Sequence, residues 1–230
     1  MHQLSRLELL IGKEKLEKIK NTTVLIIGLG GVGSFALESI VRNGIGKVII
    51  VDNDTIDITN LNRQLIALNS NIGENKTDAF EKRIKDINPN CIVKKITKFM
   101  TKENINELFE EKVDYIIDAC DTMTVKMELI RIATKNNIKI ISSMSMGYKM
   151  DPTKIKIVDI RKTSYDPIAK KLRKMVKDEK INKKIMVVCS DEQNKKIEGS
   201  TIGSNCIVPS TAGVYCASYI INDICGDKND

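Results

Sequence analysis

The chain has 230 residues, 42% of them hydrophobic and 29% charged, enough for one sizeable core with an extension and ordinary for a globular protein. Its formal charge is +7, and its only histidine, His2, stands at the extreme terminus, which excludes histidine triads and histidine metal sites. Six cysteines, at 91, 120, 189, 206, 216 and 225, form no C-x-x-C pair, which argues against a four-cysteine zinc site and, without an export signal, against disulfides.

The N-terminal "MHQLSRLELLIGKEK" has only a short apolar run, Leu9 to Gly12, behind Glu8. It is too short and too charged for a signal peptide, so a cytoplasmic location is expected. Short β-branched runs then read as strands: 22–28, 47–52, 91–96, 113–118 and 138–142. Between them, Leu37, Ile40 and Val41 mark one helix, Phe80, Ile84 and Ile87 a second, and Leu129, Ile130 and Ala133 a third. Strands alternating with helices predict an α/β fold of Rossmann type, its mostly parallel sheet covered on both faces.

The pattern weakens near 145, at "SMSMGYKMDPT", and then gives a strand at 155–160. A helix follows with Asp166 as N-cap and Pro167 at its first position, Ile168, Leu172 and Met175 sharing one face. A short strand at 185–188, the loop "EGSTIGSN" and a last helix from about Ala212 complete the chain. The apolar stretch from Ile202 to Cys225 holds Asn205, Pro209, Asn222 and Asp223, so it reads as a buried helix rather than a membrane span. One domain is expected: residues 1–145 as a nucleotide-binding core and 146–230 as a substrate-facing tail sharing it.

"GLGGVGS", with Gly28, Gly30, Gly31 and Gly33, follows the first strand and opens a helix. Such a turn lets backbone approach a phosphate and offers it the helix N-terminus. Asp52 ends the second strand, where an acid accepts ribose hydroxyls. To this point a nicotinamide cofactor fits equally well. The next segment carries Asp54, Asn60, Asn62, Arg63 and Gln64, then Lys76. Two cations beyond a ribose-binding acid suit a triphosphate, whose chemistry builds negative charge. Asp118 and Asp121 fall at the end of the fourth strand, where a carboxylate can hold Mg²⁺ against phosphate oxygens.

"GLGGVGS", "VDNDTIDITNLNRQ", "IGENK", "INPN" and "DACD" occur here in the order found in the ubiquitin-activating-type adenylating enzymes, the MoeB and ThiF superfamily, which the chain resembles over roughly residues 6–145. That resemblance implies ATP as co-substrate, with Asp52 on the ribose, Arg63 and Lys76 clamping phosphates and Asp121 holding Mg²⁺. It also implies a homodimer, because "RLELLIG" supplies Arg6, six residues before Gly12, as an arginine that reaches into the partner's site. The chain departs from the sulfur-carrier branch by lacking its paired C-x-x-C zinc cysteines.

"DPTKIKIVDIRKTSYDPIAKKLRKMVK" extends a resemblance to the tRNA threonylcarbamoyladenosine dehydratase branch over nearly the whole chain. The implied reaction is ATP-dependent activation of the threonyl carboxylate of N6-threonylcarbamoyladenosine in tRNA, then cyclisation with net loss of water. From Arg161 to Lys196 there are twelve Lys and Arg against five Asp and Glu, a strip that could track tRNA phosphates. Cys206 sits where some relatives have a cysteine proposed to be catalytic, although a free cysteine is most often a small buried hydrophobe. Cys120 is expected to pack behind the rim. The rival readings are activation of a ubiquitin-like or sulfur-carrier C-terminus, with a cysteine desulfurase or sulfur acceptor as partner, and an inert nucleotide-binding adapter. An NAD oxidoreductase ranks last, since no acid or base for hydride chemistry is evident.

Overall fold

The computed structural model describes residues 2–193 and 202–226. Strands β1 (Thr23–Ile27), β2 (Lys47–Val51), β3 (Ile92–Ile96), β4 (Tyr115–Asp118), β5 (Lys139–Ser143), β6 (Ile155–Asp159) and β7 (Met186–Ser190) form one sheet. Its order is β3-β2-β1-β4-β5-β7-β6, parallel except for edge strand β6, which runs antiparallel to β7. The helices are α1 (Ser5–Ile11), α2 (Lys13–Lys20), α3 (Gly33–Arg42), α4 (Lys76–Ile87), α5 (Met123–Asn136), α6 (Pro167–Asp178) and α7 (Ile207–Ile224).

Successive side chains of a strand point to opposite faces, and β1 shows what that divides. Val24 and Ile26 join a buried cluster with Leu37 and Ile40 of α3, Phe80 and Ile84 of α4, and Ala212 and Cys216 of α7. Leu25 and Ile27 join the other, with Leu129 and Ile130 of α5 and Leu172 of α6. The central strands are therefore buried on both sides, which is why they read as unbroken apolar runs.

The seven expected strands and the three middle helices lie where the sequence places them, within a few residues at their ends. Asp166 caps α6 as expected, its carboxylate accepting the Ala169 N–H at 2.9 Å. The buried face of α6 is Ala169, Leu172 and Val176, with Ile168 and Met175 half-buried beside it. The last helix starts at Ile207 and not near Ala212, because Pro209 sits in its first turn, where no N–H is needed. Helices α1 and α2 were not expected. Gly12, at φ +84°, separates them, and Leu16 and Ile19 anchor α2 in the core. The loop "EGSTIGSN" lies partly outside the described residues, as do positions 194–196 of the basic strip.

Candidate active site

The strand register sets Ile27 of β1 level with Val51 of β2 and Asp118 of β4, so three C-terminal strand ends open on one crevice. The strand order reverses about β1, and open α/β sheets bind ligands at such a point. A cleft of about 370 Å³ lies there, within the usual range for small-molecule sites.

Gly28 and Gly30 line this cleft. Gly28 has φ +87°, and a Cβ on it would meet the Ala119 carbonyl oxygen at 2.6 Å. At Gly30 a Cβ would meet nothing nearer than the Gln64 amide nitrogen at 3.9 Å, so its backbone is open to a ligand. The other two expected glycines do not line the cleft. Gly31 packs against Pro209 and Arg63, and a Cβ on Gly33 would fall 1.7 Å from the Gly28 carbonyl oxygen, so Gly33 serves the close seating of α3 on β1.

Asp52 lies on the floor, its carboxylate accepting the Leu29 N–H at 2.6 Å and the Asp54 N–H at 2.9 Å. Lys76, only 3% exposed, opens α4 with its Nζ 2.8 Å from Asp54 and 3.7 Å from Asp52. Arg63 is half-buried on the wall; its Nη1 donates to the Thr59 carbonyl at 2.6 Å and to Asn62 Oδ1 at 3.0 Å. Asn60 and Gln64 also line the cleft. The Asn60 side chain accepts the Asp57 N–H, and the buried Gln64 Oε1 has no hydrogen-bond partner among the described residues. Asn62 does not line the cleft; its amide bonds the Ser204 carbonyl at 3.0 Å, tying this wall to the segment before α7.

Asp118 is fully buried and belongs to a structural ion pair whose cation, Lys126, the sequence reading did not single out. The Lys126 Nζ, from α5, donates to both Asp118 oxygens at 3.1 and 3.0 Å and to the Ser143 carbonyl at 2.8 Å. Burial alone would push that ammonium's pKa down, but the Asp118 charge outweighs it and leaves the pKa raised. Asp118 also accepts the Cys120 N–H at 3.3 Å and its thiol at 3.1 Å. Cys120 therefore lines the cleft instead of packing behind it. Burial, with the Asp118 charge, drives the Cys120 thiol well above its ordinary pKa, which disfavours the thiolate that a nucleophile needs. Asp121, one residue on, stands exposed on the rim.

Phe99, Met100 and Val125 form an apolar end of the cleft that the sequence reading did not single out. Arg6 and Cys206 do not line it. Arg6 is exposed on α1, and Cys206 is exposed at the start of α7, where Asn205 supplies the cap by accepting the Val208 N–H. Within the basic strip, three cations are engaged inside the fold. Arg161 brackets Asp159, Arg173 bonds Thr163, and Lys183 bonds the Thr134 carbonyl.

A doubly wound sheet with a glycine turn after β1, an acid ending β2 and two cations beyond it defines a nucleotide-binding α/β protein. More narrowly, the chain belongs to the ThiF family, whose pattern matches residues 3–228. It is 43% identical to the tRNA threonylcarbamoyladenosine dehydratase of Bacillus subtilis, over 99% of this chain and 96% of that one. Identity to the Escherichia coli enzyme of the same name is 34%, over 90% and 72%. The crystal structure of E. coli TcdA with ATP superposes with a TM-score of 0.91 at 31% identity, over 98% of this chain and 94% of that one. The MccB structure of E. coli, at 19% identity and TM-score 0.71, shares the fold.

Proposed function

We propose that this protein is an ATP-dependent tRNA threonylcarbamoyladenosine dehydratase. The observation that carries this reading is the cleft: Asp52, Lys76, Arg63 and the open backbone of Gly30 converge on one crevice. The cleft also suits a nucleotide because Gln64, whose Oε1 is unpartnered, and Arg63, with donors to spare, both line it, and a nucleotide offers both donors and acceptors. Asp52 would hold the ribose hydroxyls, and Gly30 with the start of α3 would hold phosphate oxygens. Arg63 and Lys76 would draw off the charge that builds as the substrate carboxylate attacks the α-phosphorus and pyrophosphate leaves. To reach a phosphate, Lys76 needs only to exchange the exposed Asp54. Asp121 fits a Mg²⁺ site, since that ion commonly takes one or two carboxylates and completes its shell with phosphate oxygens and water; bound there, it would neutralise charge on the phosphates.

The acyl-adenylate is then closed by the substrate's own carbamoyl group, which displaces AMP, so the carboxylate oxygen departs in AMP and the base has lost one water. A thiol-mediated route would run through Cys206, which is exposed at the N-terminal end of α7. Full activity in Cys206→Ser supports direct closure, and loss of cyclisation and of AMP release with pyrophosphate release preserved supports the thiol. The RNA would meet the exposed lysines of α6, where Lys170, Lys171, Lys174 and Lys177 form no ion pair with a described residue.

We also propose a homodimer in which Arg6 completes the partner's site. Leu9 and Leu10 of α1 are 88% and 80% exposed, beside an apolar groove lined by Leu7, Ile11, Val214 and Ile221. No described helix is long and apolar enough to cross a membrane, and a tRNA substrate implies the cytoplasm. The reading is tested by AMP and pyrophosphate release. Threonylcarbamoyl-modified tRNA should stimulate it, and unmodified tRNA should not. Release driven instead by a carrier protein with a C-terminal glycine would favour the sulfur-carrier reading, with its desulfurase partner.

A further inference from the structure

Four non-glycine residues among those described have positive φ, and two are tyrosines, Tyr148 at 57° and Tyr165 at 54°. For a bulky side chain that conformation persists only where its surroundings impose it. At Tyr165 both neighbours do so. The Ser164 hydroxyl donates to Asp191 at 2.9 Å. Asp166 accepts the Ser145 N–H at 2.9 Å with one oxygen and caps α6 with the other. With each flank pinned inward, the backbone between them turns outward and leaves Tyr165 59% exposed. Tyr148, by contrast, is half-buried with its ring over Gly203.

The exposed ring stands two residues before α6, whose buried face is Ala169, Leu172 and Val176. On the solvent side, Lys170, Lys174 and Lys177 follow helical spacing along one stripe, with Lys171 beside them. The stripe is about 10 Å long at the helical rise. Asp178 and Glu179 close its far end, and Glu179 is taken by Arg131. An aromatic face at the head of a track of unpaired lysines matches how proteins hold single-stranded nucleic acid: one base on the ring, the backbone along the cations.

Resting on the RNA substrate proposed above, we infer that Tyr165 is a stacking platform for one unstacked base of the substrate RNA loop, while the α6 lysines follow its backbone. The test is fluorescence anisotropy with a labelled anticodon stem-loop carrying the threonylcarbamoyl base, titrated across salt concentration with the full chain. Tyr165→Ala should weaken binding about five- to 150-fold. It should leave the slope of log K against log salt unchanged, because stacking releases no counterions. Lys170→Ala with Lys174→Ala should instead reduce that slope by about 0.7 per lysine. The chain has no tryptophan, so Tyr165→Trp supplies a single tryptophan, excited selectively over the remaining tyrosines, whose emission RNA should quench while affinity is retained. ATP affinity should be unaltered in every variant.

Binding by Tyr165→Ala within twofold of the parent would overturn the assignment, as would an unmoved tryptophan signal at saturating RNA. A parent chain that fails to bind the RNA would overturn the dehydratase reading as well. If the parent binds and Tyr165→Ala is neutral, only the stacking role falls.

Discussion

Lys126→Met isolates the buried ion pair beneath the cleft. The substitution keeps the length of the side chain but removes three hydrogen bonds: two to Asp118, at 3.1 and 3.0 Å, and one to the Ser143 carbonyl at 2.8 Å. It leaves a fully buried carboxylate without its cation, and breaking a buried pair in this way costs about 3–5 kcal/mol. For a domain of this size each kcal/mol lowers Tm by about 2–4 °C, so a fall of roughly 6–20 °C is expected in thermal denaturation. The double variant Lys126→Met/Asp118→Asn, with no charge left to bury, should regain most of the loss at neutral pH. Because Asp118 also holds Cys120, next to the rim carboxylate of Asp121, the single variant should bind ATP more weakly even below its melting range. A Tm within 2 °C of the parent, or no recovery in the double variant, would refute this account of the pair.

Two neighbouring glycines should respond in opposite ways. Gly33→Ala forces a Cβ to 1.7 Å from the Gly28 carbonyl and should prevent soluble folding, whereas Gly30→Ala has room and should melt like the parent. Gly30→Ala should nonetheless weaken ATP binding by calorimetry, since the methyl group occupies the phosphate approach. Arg63→Ala removes a half-buried side chain that makes no ion pair with a described residue, so Tm should change little while turnover falls about a hundred- to a thousandfold, the usual cost of losing one donor to developing charge. Mixing and re-equilibrating Arg6→Ala with Arg63→Ala chains should restore about a quarter of parental activity if Arg6 acts in trans, because half the dimers are mixed and each holds one intact site. No recovery would assign Arg6 to its own chain's site, and full activity of Arg6→Ala alone would assign it to none.

The strands were legible because a parallel sheet covered on both faces demands unbroken apolar runs, and few other structures do. The order of Asp52, Arg63, Lys76 and Asp121 was legible because local motifs carry these residues to the C-terminal ends of β1, β2 and β4. The motif did not separate ligand contacts from packing. Gly31, Gly33 and Asn62 belong to it, yet they seat α3 and tie down the segment before α7. Lys126 escaped because a lysine on a helix normally reads as solvated, and its burial follows from Asp118 arriving from β4. Phe99 and Met100 escaped for a similar reason, since the loop after β3 reaches the cleft only once the sheet is assembled. Helices α1 and α2 are short, and their few apolar anchors do not repeat long enough to stand out.

The central claim is most directly tested on the nucleoside itself. Threonylcarbamoyl-modified tRNA should be incubated with the protein, ATP and Mg²⁺, digested, and the modified base weighed by mass spectrometry. The account predicts loss of one water from that base, dependent on ATP and abolished in Arg63→Ala. An unchanged base, with ATP turned over or left intact, would contradict it.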